Sequence, residues 1–389
     1  MTTGTPLVRF VQPTLRRYRV PVFEGLAGLP DWRMELWADL HPSGPSASGT
    51  LDGMDALPCV HAPCREIGPF LWQPGLRRAA GGEVSIVVLT WNSRHLWLLP
   101  ALRRARRRGV GGVLWGHGFG KSETATRRRI RNALLHHADA AVLYGEPARR
   151  QLIAEGFDAE RLFVAPNAVD QTPVRRAKAA WDADRLAAFR RREGLDGREV
   201  IVFLSRLEPS KRVDRLVEAF SSLHARRPRA TLVVIGEGAD GPLVAAAASR
   251  LPQGSVRLLG GIFAEDELAP WMLSARLFAY PRAIGLSIFH AFGFGLPVVT
   301  CTKPGGHGPE IDALEDGVNG LLYPDGDTDA LAERMERVLA DDALRARLAA
   351  AAQATVDGEG GWDVPAMTDA FRRCFEFVAS VRRSGRRSS

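Results

Sequence analysis

The sequence predicts an α/β protein built from two doubly wound parallel sheets. Short continuous apolar runs alternate with helical patterns along the 389 residues, and such runs are typical of strands buried between two layers of helices. A chain of this length exceeds what one hydrophobic core usually holds. We therefore expect two domains, each with its own sheet.

The predicted strands follow one another through both halves of the chain. In the first half they cover residues 7–11, 84–90, 113–114, 140–143 and 162–164. In the second half they cover residues 200–204, 230–235, 256–259, 277–280, 297–300 and 320–323. Apolar residues at helical spacing predict a terminal helix over 367–381, and the polar residues that follow it are expected to fray.

The domain boundary is predicted in the stretch between Pro166 and Glu199, which is charged, alanine-rich and flanked by turn residues. This gives an N-terminal domain over 1–175, a helix-bearing link over 176–194, a C-terminal domain over 195–366, and a terminal helix with a basic tail over 367–389. The terminal helix is expected either to stay with the C-terminal domain or to cross back to the N-terminal one. Asp182 and Asp184 lie in the link, and we interpret them as a solvated helix start rather than a metal site.

The charge balance favours anionic partners. The net charge is +8 and arginines cluster at 103–108, 127–131 and 190–192, which fits phosphorylated metabolites, acidic lipid surfaces or a solvated basic surface. Neither a nucleic-acid-reading motif nor interleaved aromatic residues occur, so we expect no nucleic acid partner. The segment 96–108 combines apolar and cationic residues, and either rests on an anionic membrane or packs on the sheet with its arginines in water.

Cysteine usage and hydropathy indicate a cytoplasmic protein. The four cysteines, at 59, 64, 301 and 374, form no regular framework, as expected in a reducing compartment. Cys59 and Cys64 flank His61, but no second pair completes a tetrahedral zinc site. We predict no metal site and no cofactor. No apolar run approaches a membrane span, so the protein is expected to be soluble or peripheral on the inner membrane face.

Two cations follow the predicted strand 200–204. The spacing of Arg206 and Lys211 allows a turn and a helix start to bring both to one pocket. A guanidinium can bind two phosphate oxygens while an ammonium acts as a point charge. A surface ion pair of Arg206 with Glu208 or Asp214 is the alternative.

A glycine-rich turn follows the predicted strand 277–280. Gly285 allows the backbone to approach an anion, and Leu286 and Ser287 would open a helix whose first amides point at that anion. Gly295 would end this helix before the next strand. The two motifs together predict a site for a nucleotide diphosphate at the carboxyl ends of the strands, although a packing role for the turn remains open.

These motifs resemble the retaining GT-B glycosyltransferases of family 4, also described as glycosyl transferases group 1. The similarity covers nearly all of the C-terminal half, and it is thinner in the N-terminal half. The motifs that carry it are Ser205-Arg-Leu with Lys211, Val234-Ile-Gly-Glu-Gly238, Leu259-Gly260, residues 280–299, Glu310-Ile311, Gly317-Val-Asn-Gly320, Gln12 to Pro21, Trp115-Gly-His-Gly118 and Pro166-Asn-Ala-Val-Asp170.

The resemblance implies two Rossmann-like domains facing a central cleft. The reaction would move a sugar from a nucleotide diphosphate sugar to a hydroxyl acceptor, a glycan, a lipid-linked saccharide or a natural product, with retention and without an obligatory metal. Arg206 and Lys211 would hold the diphosphate with the amides of 285–287. His117 would lie near the donor sugar, and these two cations and His117 are the predicted catalytic residues.

The chain departs from the family pattern where two glutamates are expected to contact the donor sugar and the ribose. Those positions are Arg282 and His290. Arginine cannot accept a hydrogen bond, whereas a neutral histidine can. We hypothesise that donor recognition uses His290 and Glu310, with Arg282 facing a phosphate or a carboxylate-bearing sugar.

Two other functions remain open at this point. The chain can be a nucleotide-sugar-binding protein or an inactive partner subunit that has lost the acid pair. An NAD-dependent oxidoreductase is also compatible with Gly236, Gly238 and Gly241, which spell a dinucleotide fingerprint. The next strand, however, ends in Gly260 and Gly261 rather than in the acid that binds a ribose.

Overall fold

The computed structural model describes residues 4–41, 58–119, 124–302, 306–357 and 361–387, and the side chains among these up to residue 384. The chain divides into two compact units. The first contains residues up to Ala168 and then Val364 onward, and the second runs from Val169 to Asp363. The structure therefore confirms the predicted pair of α/β units.

The first unit contains a parallel sheet. Across the described residues it has seven strands in the order β3-β2-β1-β6-β7-β8-β9, and a separate antiparallel hairpin joins β4 to β5. The strands are β1 (Leu7–Gln12), β2 (Arg33–Ala38), β3 (Cys59–His61), β4 (Arg65–Ile67), β5 (Phe70–Trp72), β6 (Val84–Thr90), β7 (Gly111–Gly116), β8 (Ala140–Leu143) and β9 (Leu162–Val164). The helices are α1 (Val20–Ala27), α2 (Leu98–Arg107), α3 (Ala125–His136), α4 (Glu146–Ala154) and α13 (Val364–Arg387).

Alternating residues of these strands point to two cores. On β6, Ile86 and Val88 belong to the core beneath α1 and α13, whereas Val87 and Leu89 belong to the core beneath α2, α3 and α4. Burial on both faces explains why the strand is apolar throughout rather than alternating. This is the doubly wound arrangement that the sequence predicts.

The second unit contains the other parallel sheet. Its six strands, counted in the described part of the chain, run in the order β12-β11-β10-β13-β14-β15. They are β10 (Glu199–Leu204), β11 (Ala230–Ile235), β12 (Val256–Leu258), β13 (Ala275–Tyr280), β14 (Val298–Cys301) and β15 (Gly320–Tyr323). The helices are α5 (Thr172–Ala179), α6 (Ala183–Arg192), α7 (Val213–Arg226), α8 (Gly241–Ala248), α9 (Glu265–Ser274), α10 (Ser287–Gly293), α11 (Thr328–Ala340) and α12 (Asp342–Asp357).

The chain enters the second unit after Ala168. The segment 176–194, expected as a link, lies within that unit and contributes to α5 and α6. Lys178 donates hydrogen bonds to the Gly293 carbonyl and to Gln353, at 2.8 Å and 2.6 Å. Asp182 accepts from the Arg185 amide at 2.7 Å and caps α6, as interpreted from the sequence. The segment is therefore packed structure with its own tertiary contacts.

The terminal helix packs on the first unit. Phe371 and Phe375 lie 5.5 Å and 6.1 Å from Phe10 of β1 between ring centroids, and a Cβ built on Gly111 of β7 would lie only 2.4 Å from Val378. The helix continues through Arg387, so the fraying expected after 381 is wrong up to that residue. Arg382 supports this last part through an ion pair with Asp139 at 2.6 Å.

The segment 96–108 contains a helix that packs on the sheet. Leu98, Ala101, Leu102 and Ala105 of α2 are buried, whereas the arginines between 103 and 108 are exposed. No helix among the described residues is both long and apolar enough to cross a bilayer.

Candidate functional site

The loop after β10 carries the first two predicted site residues. It is held against the loop after β11, because the Leu207 amide donates to the Glu237 carbonyl at 2.8 Å and the Asp240 amide donates to the Leu207 carbonyl at 3.0 Å. Gly236 has φ +146°, and a Cβ there would lie 1.8 Å from the Ser205 carbonyl oxygen. Only glycine permits this approach. In this structure the glycines after β11 therefore serve backbone packing.

Arg206 is the exposed cation of the loop. Its side chain is 71% exposed, and its Nη1 lies 2.7 Å from Glu208 Oε1. This is one of the two surface pairs that the sequence offered as an alternative. Such exposed pairs contribute little, typically below about 1 kcal/mol, so the guanidinium can be transferred to a stronger anion at small cost.

Lys211 is half-buried and reaches the turn after β13. Its Nζ donates to the Ala283 carbonyl at 2.8 Å and lies 5.6 Å from the centre of the Tyr280 ring. Burial lowers the pKa of Lys211, and Glu208, Arg206 and Glu310 are close enough to modify it. The structure thus brings Lys211 together with Glu310 and the 283–285 turn.

The turn after β13 has an unusual backbone. Ala283 has φ +56°, and with Arg212 at φ +52° it is one of two non-glycine residues with positive φ in the described ranges. The Ile284 amide donates to His307 Nδ1 at 3.1 Å, and His307 Nε2 donates to the Cys301 carbonyl at 2.9 Å. This strained conformation is therefore held from Lys211 on one side and from buried His307 on the other.

Glu310 lies against the same turn and is 4% exposed. A Cβ built on Gly308 would meet its Oε2 at 2.1 Å, and one built on Gly285 at 3.8 Å. The carboxylate therefore lies beside the Gly285 backbone and within electrostatic reach of Lys211. This places one acid, one ammonium and the glycine turn around a single point at the carboxyl edge of the sheet.

Helix α10 begins directly after the turn, at Ser287. The amides of Ile288 and Phe289 donate to the carbonyls of Gly285 and Leu286 at 3.1 Å each. The amides of 285–287 precede these bonds, and Gly285, Leu286 and Ser287 are each partly exposed. The helix ends before Gly295, whose φ is +70°, so its predicted beginning and end are both confirmed.

Tyr280 joins the two loops beneath the site. Its hydroxyl donates to Ser205 Oγ at 2.8 Å. Burial raises the pKa of Tyr280 to about 12, while hydrogen bonds with Ser205 and Ser287 oppose the rise. A neutral phenol thus fixes the loop after β10 relative to the start of α10.

The two positions that depart from the family pattern have acidic partners. Arg282 Nε lies 3.9 Å from Asp325 Oδ1. His290 Nε2 lies 2.8 Å from Glu265 Oε1, at the start of α9. The other oxygen of Glu265 is buried and has no hydrogen-bond partner in the described part of the chain. An acid from another helix therefore stands beside His290.

His117 belongs to the first unit. It follows β7 directly, its side chain is exposed, and its ring lies 4.8 Å from that of Tyr144, which follows β8. Gly118 after it has φ +71°, and a Cβ there would meet Leu143 at 2.8 Å. The turn therefore carries His117 to the surface at the carboxyl edge of the first sheet.

Sequence reasoning identified the cations, the glycine turn and Glu310, but it missed Glu265, Tyr280 and His307. Glu265 lies 25 residues before His290, and no spacing rule relates a helix start to a residue on another helix. His307 precedes Glu310 in a loop, and only its burial marks it out. Among the described residues, no three His, Cys, Asp or Glu side chains are grouped so that they could hold a metal ion.

Comparisons with known proteins identify the family. Residues 198–341 match the family described as Glycosyl transferases group 1. The chain is 29% identical over 209 residues to a GDP-mannose-dependent monoacylated alpha-(1-6)-phosphatidylinositol monomannoside mannosyltransferase of Corynebacterium glutamicum, a match covering 51% of this chain and 52% of that protein. The chain thus spans about half the length of that relative.

Two further comparisons cover more of the chain. An Alpha-D-kanosaminyltransferase of Streptomyces kanamyceticus is 30% identical over 297 residues, which is 75% of this chain and 70% of that protein. The crystal structure of Anabaena HepE in complex with UDP matches with a TM-score of 0.71 at 18% identity, over 95% of this chain and 99% of that one. The structural match concerns the fold, and the sequence matches show that the chain belongs to the glycosyl transferases group 1 family.

Proposed function

We propose that the chain transfers a sugar from a nucleotide diphosphate sugar to a hydroxyl acceptor, with the diphosphate bound at the carboxyl edge of the second sheet. The observation that carries this proposal is the convergence of Lys211, Glu310 and the 283–285 turn, with Arg206 in the adjoining loop. Family membership and the names of the relatives support the reaction class.

The cations would act on the leaving group. As the bond to the sugar breaks, negative charge grows on the diphosphate, and preorganised positive groups stabilise that charge. Arg206 would exchange Glu208 for phosphate oxygens, Lys211 would supply a point charge, and the amides of 285–287 would donate from the other side. This transfer would be metal-independent, so excess chelator is expected to leave turnover unchanged.

The first unit would bind the acceptor, and His117 would act near the donor sugar. The alpha linkages in the relatives' names support retention at the anomeric carbon. The anomeric configuration of the product, measured by proton NMR immediately after transfer, tests this part. A product of inverted configuration would contradict it.

A nucleotide panel tests the function as a whole. Nucleoside diphosphates are expected to raise the melting temperature, because a ligand that binds only the native state stabilises it. Nucleotide sugars that bind should then be hydrolysed slowly without an acceptor. Binding without any hydrolysis or transfer would instead favour a nucleotide-sugar-binding protein or an inactive partner subunit.

The pair of His290 and Glu265 would bind the nucleotide ribose. The buried Glu265 oxygen lacks a partner among the described residues, and a carboxylate held by an imidazole can accept from hydroxyl groups. Glu265→Gln and His290→Ala are each expected to weaken nucleoside diphosphate binding about tenfold, since hydrogen bonds to charged groups contribute about 1.5–3 kcal/mol.

The double variant separates a shared site from two independent effects. Because the side chains are in contact, we expect the combined loss in affinity to be clearly smaller than the sum of the single losses in free energy. Calorimetric titration of the four proteins measures this. Glu267→Gln, at an exposed position on the first turn of the same helix, is the matched control, and Arg282→Ala tests the phosphate or sugar contact of that residue. Unchanged binding in both single variants would refute the ribose role.

The protein is proposed to act in the cytoplasm, and its first unit to contact anionic lipid. Leu98, Ala101, Leu102 and Ala105 of α2 are buried, so this apolar face of the helix is not available to a membrane. The exposed apolar side chains lie beside it on the β4–β5 hairpin and at Leu96, with Ile67 53%, Phe70 45% and Leu96 46% exposed. The backbone amide of Leu96 donates a hydrogen bond to the carbonyl of Leu71, in this hairpin, at 3.2 Å. A small apolar edge next to exposed arginines suits a lipid interface.

Vesicle binding tests the lipid contact. Co-sedimentation with vesicles containing phosphatidylserine is expected to fall with rising salt, because the attraction is electrostatic. The double variant Arg104→Glu and Arg107→Glu should reduce the partition coefficient by more than tenfold, at about 1 kcal/mol for each cation lost. The variant Phe70→Ser tests the apolar edge, and Arg250→Glu, at an exposed position of the second unit, is the control. If vesicle binding changes neither with salt concentration nor in the Arg104/Arg107 and Phe70 variants, the proposed lipid contact is refuted.

A further inference from the structure

Arg19 is a cation held rigidly at the carboxyl edge of the first sheet. Its three nitrogens donate to Gln12 Oε1 at 3.0 Å, Tyr144 Oη at 2.5 Å and Tyr18 Oη at 3.2 Å. The guanidinium also lies 4.5 Å from the centre of the Trp115 ring. These contacts fix its plane and use three of its five N–H groups.

None of these partners neutralises the charge. Gln12 offers an amide and Tyr18 and Tyr144 offer hydroxyl groups rather than carboxylates, and no carboxylate of the described residues lies within 4 Å of Arg19. The two buried arginines among this unit's described residues, Arg9 and Arg131, do have acidic partners, since Arg9 pairs with Glu35 at 2.5 Å. Arg131 likewise pairs with Glu155 at 2.9 Å. A desolvated cation normally has such a partner.

The neighbouring Gln12 has an amide nitrogen that lacks a hydrogen-bond acceptor among the described residues. Gln12 is 1% exposed, and its Oε1 is occupied by Arg19. Its Nε2 is buried and has no hydrogen-bond partner among the described residues. A ligand that brings acceptor oxygens and negative charge would satisfy both groups, whereas a neutral donor-rich ligand would satisfy neither.

The location points to a ligand rather than to a structural ion pair. Gln12 ends β1, Trp115 lies in β7 and Tyr144 follows β8. In the sheet, β1 and β7 lie on the two sides of β6, and β8 is next to β7. Open parallel sheets bind ligands at this edge. The ring centroids of Tyr144 and His117 are 4.8 Å apart. Arg19 therefore shares a neighbour with His117, the residue proposed to act near the donor sugar.

We propose that Arg19 binds an anionic group, a phosphate or a carboxylate, of a ligand in the first unit. This rests on the proposed function, which places the acceptor in this unit, and it makes the acceptor a molecule that carries a phosphate or carboxylate group. A planar guanidinium with two N–H groups remaining can bind either oxyanion. The diphosphate of the donor offers the same chemistry, and the experiment separates the two sources.

Titration of the full chain with two probes tests the proposal. Glycerol 3-phosphate represents a phosphorylated acceptor, UDP represents the donor, and thermal shift against concentration gives an apparent Kd for each. In Arg19→Gln the Kd for glycerol 3-phosphate is expected to rise at least tenfold while that for UDP is unchanged. Lys211→Gln is expected to show the reverse, and Arg17→Gln, at an exposed neighbouring position, should change neither.

Each remaining outcome decides the question. If Arg19→Gln loses affinity for UDP and not for glycerol 3-phosphate, the anion belongs to the donor. If it binds both probes as the wild type does, the proposal is overturned. Should Arg19→Gln fail to fold, Arg19→Lys replaces it, with an expected weakening of at least threefold, and wild-type affinity in that variant overturns the proposal. A wild type that binds glycerol 3-phosphate but no nucleotide would instead refute the proposed function alone.

Discussion

Replacing Lys211 by alanine is expected to lower kcat about 10²- to 10³-fold, which is the loss seen when one preorganised donor to a developing charge is removed. The effect should exceed that of Arg206→Ala, because Arg206 is exposed and screened whereas Lys211 is half-buried. Lys211 also holds the Ala283 carbonyl, so its loss would release the turn that leads to Gly285.

The pH profile provides a second measurement of the same residue. The pKa of Lys211 is lowered, mainly by burial. The carboxylates of Glu208 and Glu310 raise this pKa, and the positive charge of Arg206 lowers it further, but the net shift is downward. Only the ammonium form attracts the diphosphate. Donor binding should therefore be complete below the lowered pKa and should decline as the pH rises through it, earlier than for an ordinary lysine.

A conservative variant distinguishes the deprotonation of Lys211 from that of other groups in the protein. Lys211→Arg carries a cation that does not titrate in the accessible range, so its alkaline decline should disappear even if its turnover is lower. The control for a general loss of positive charge is Arg250→Ala. Arg250 is exposed and follows the end of α8, outside the loops of the site. Wild-type kinetics in Lys211→Ala would exclude the residue from the site.

The strands buried on both faces could be predicted because their apolar runs are continuous. The ends differ by no more than two residues from the structure, as for the strand predicted over 113–114 and observed over Gly111–Gly116. β2, by contrast, contains Arg33 and Glu35 and does not read as a buried strand. The charge of Glu35 is neutralised by Arg9 on the neighbouring strand at 2.5 Å, a tertiary pairing that no local pattern reveals.

The terminal helix shows a similar limit. The spacing of Met367, Phe371 and Phe375 predicts an amphipathic helix, and these residues are buried. Their partners include Phe10 and Trp115, which are more than 250 residues away. Periodicity therefore gives the existence of the apolar face, whereas the unit that covers it depends on the fold.

At the candidate site, local spacing was informative where one loop supplies both groups. Arg206 and Lys211 lie in one loop after β10, and Gly285 to Ser287 lie in one turn after β13. The contact of His290 with Glu265 joins two helices, and the contact of Lys211 with Ala283 joins two loops. Such contacts can be predicted only when the strand order is known, because it is the strand order that places β13 beside β10.

Gly236→Ala is expected to produce the largest loss of stability among single substitutions near the site, about 4 kcal/mol or more in the free energy of unfolding. Its backbone conformation, φ +146°, is disfavoured for any side chain. The new Cβ would also lie 1.8 Å from the Ser205 carbonyl oxygen, where the neighbour is backbone and cannot turn aside. Losses of this size are exceptional and arise from such specific conflicts.

Gly254→Ala is the matched control. Gly254 also has positive φ, +80°, but nothing lies within 4 Å of a Cβ at that position, so only the conformational cost of about 1–2 kcal/mol is expected. The difference between the two variants in denaturant unfolding isolates the clash. Because Gly236 packs on the residue before Arg206, any folded Gly236→Ala protein should also bind the nucleoside diphosphate identified by the panel at least tenfold more weakly, whereas Gly254→Ala should bind it normally. Equal unfolding midpoints for the two variants would show that the loop after β10 can move away, and that Arg206 is not held in place by this contact.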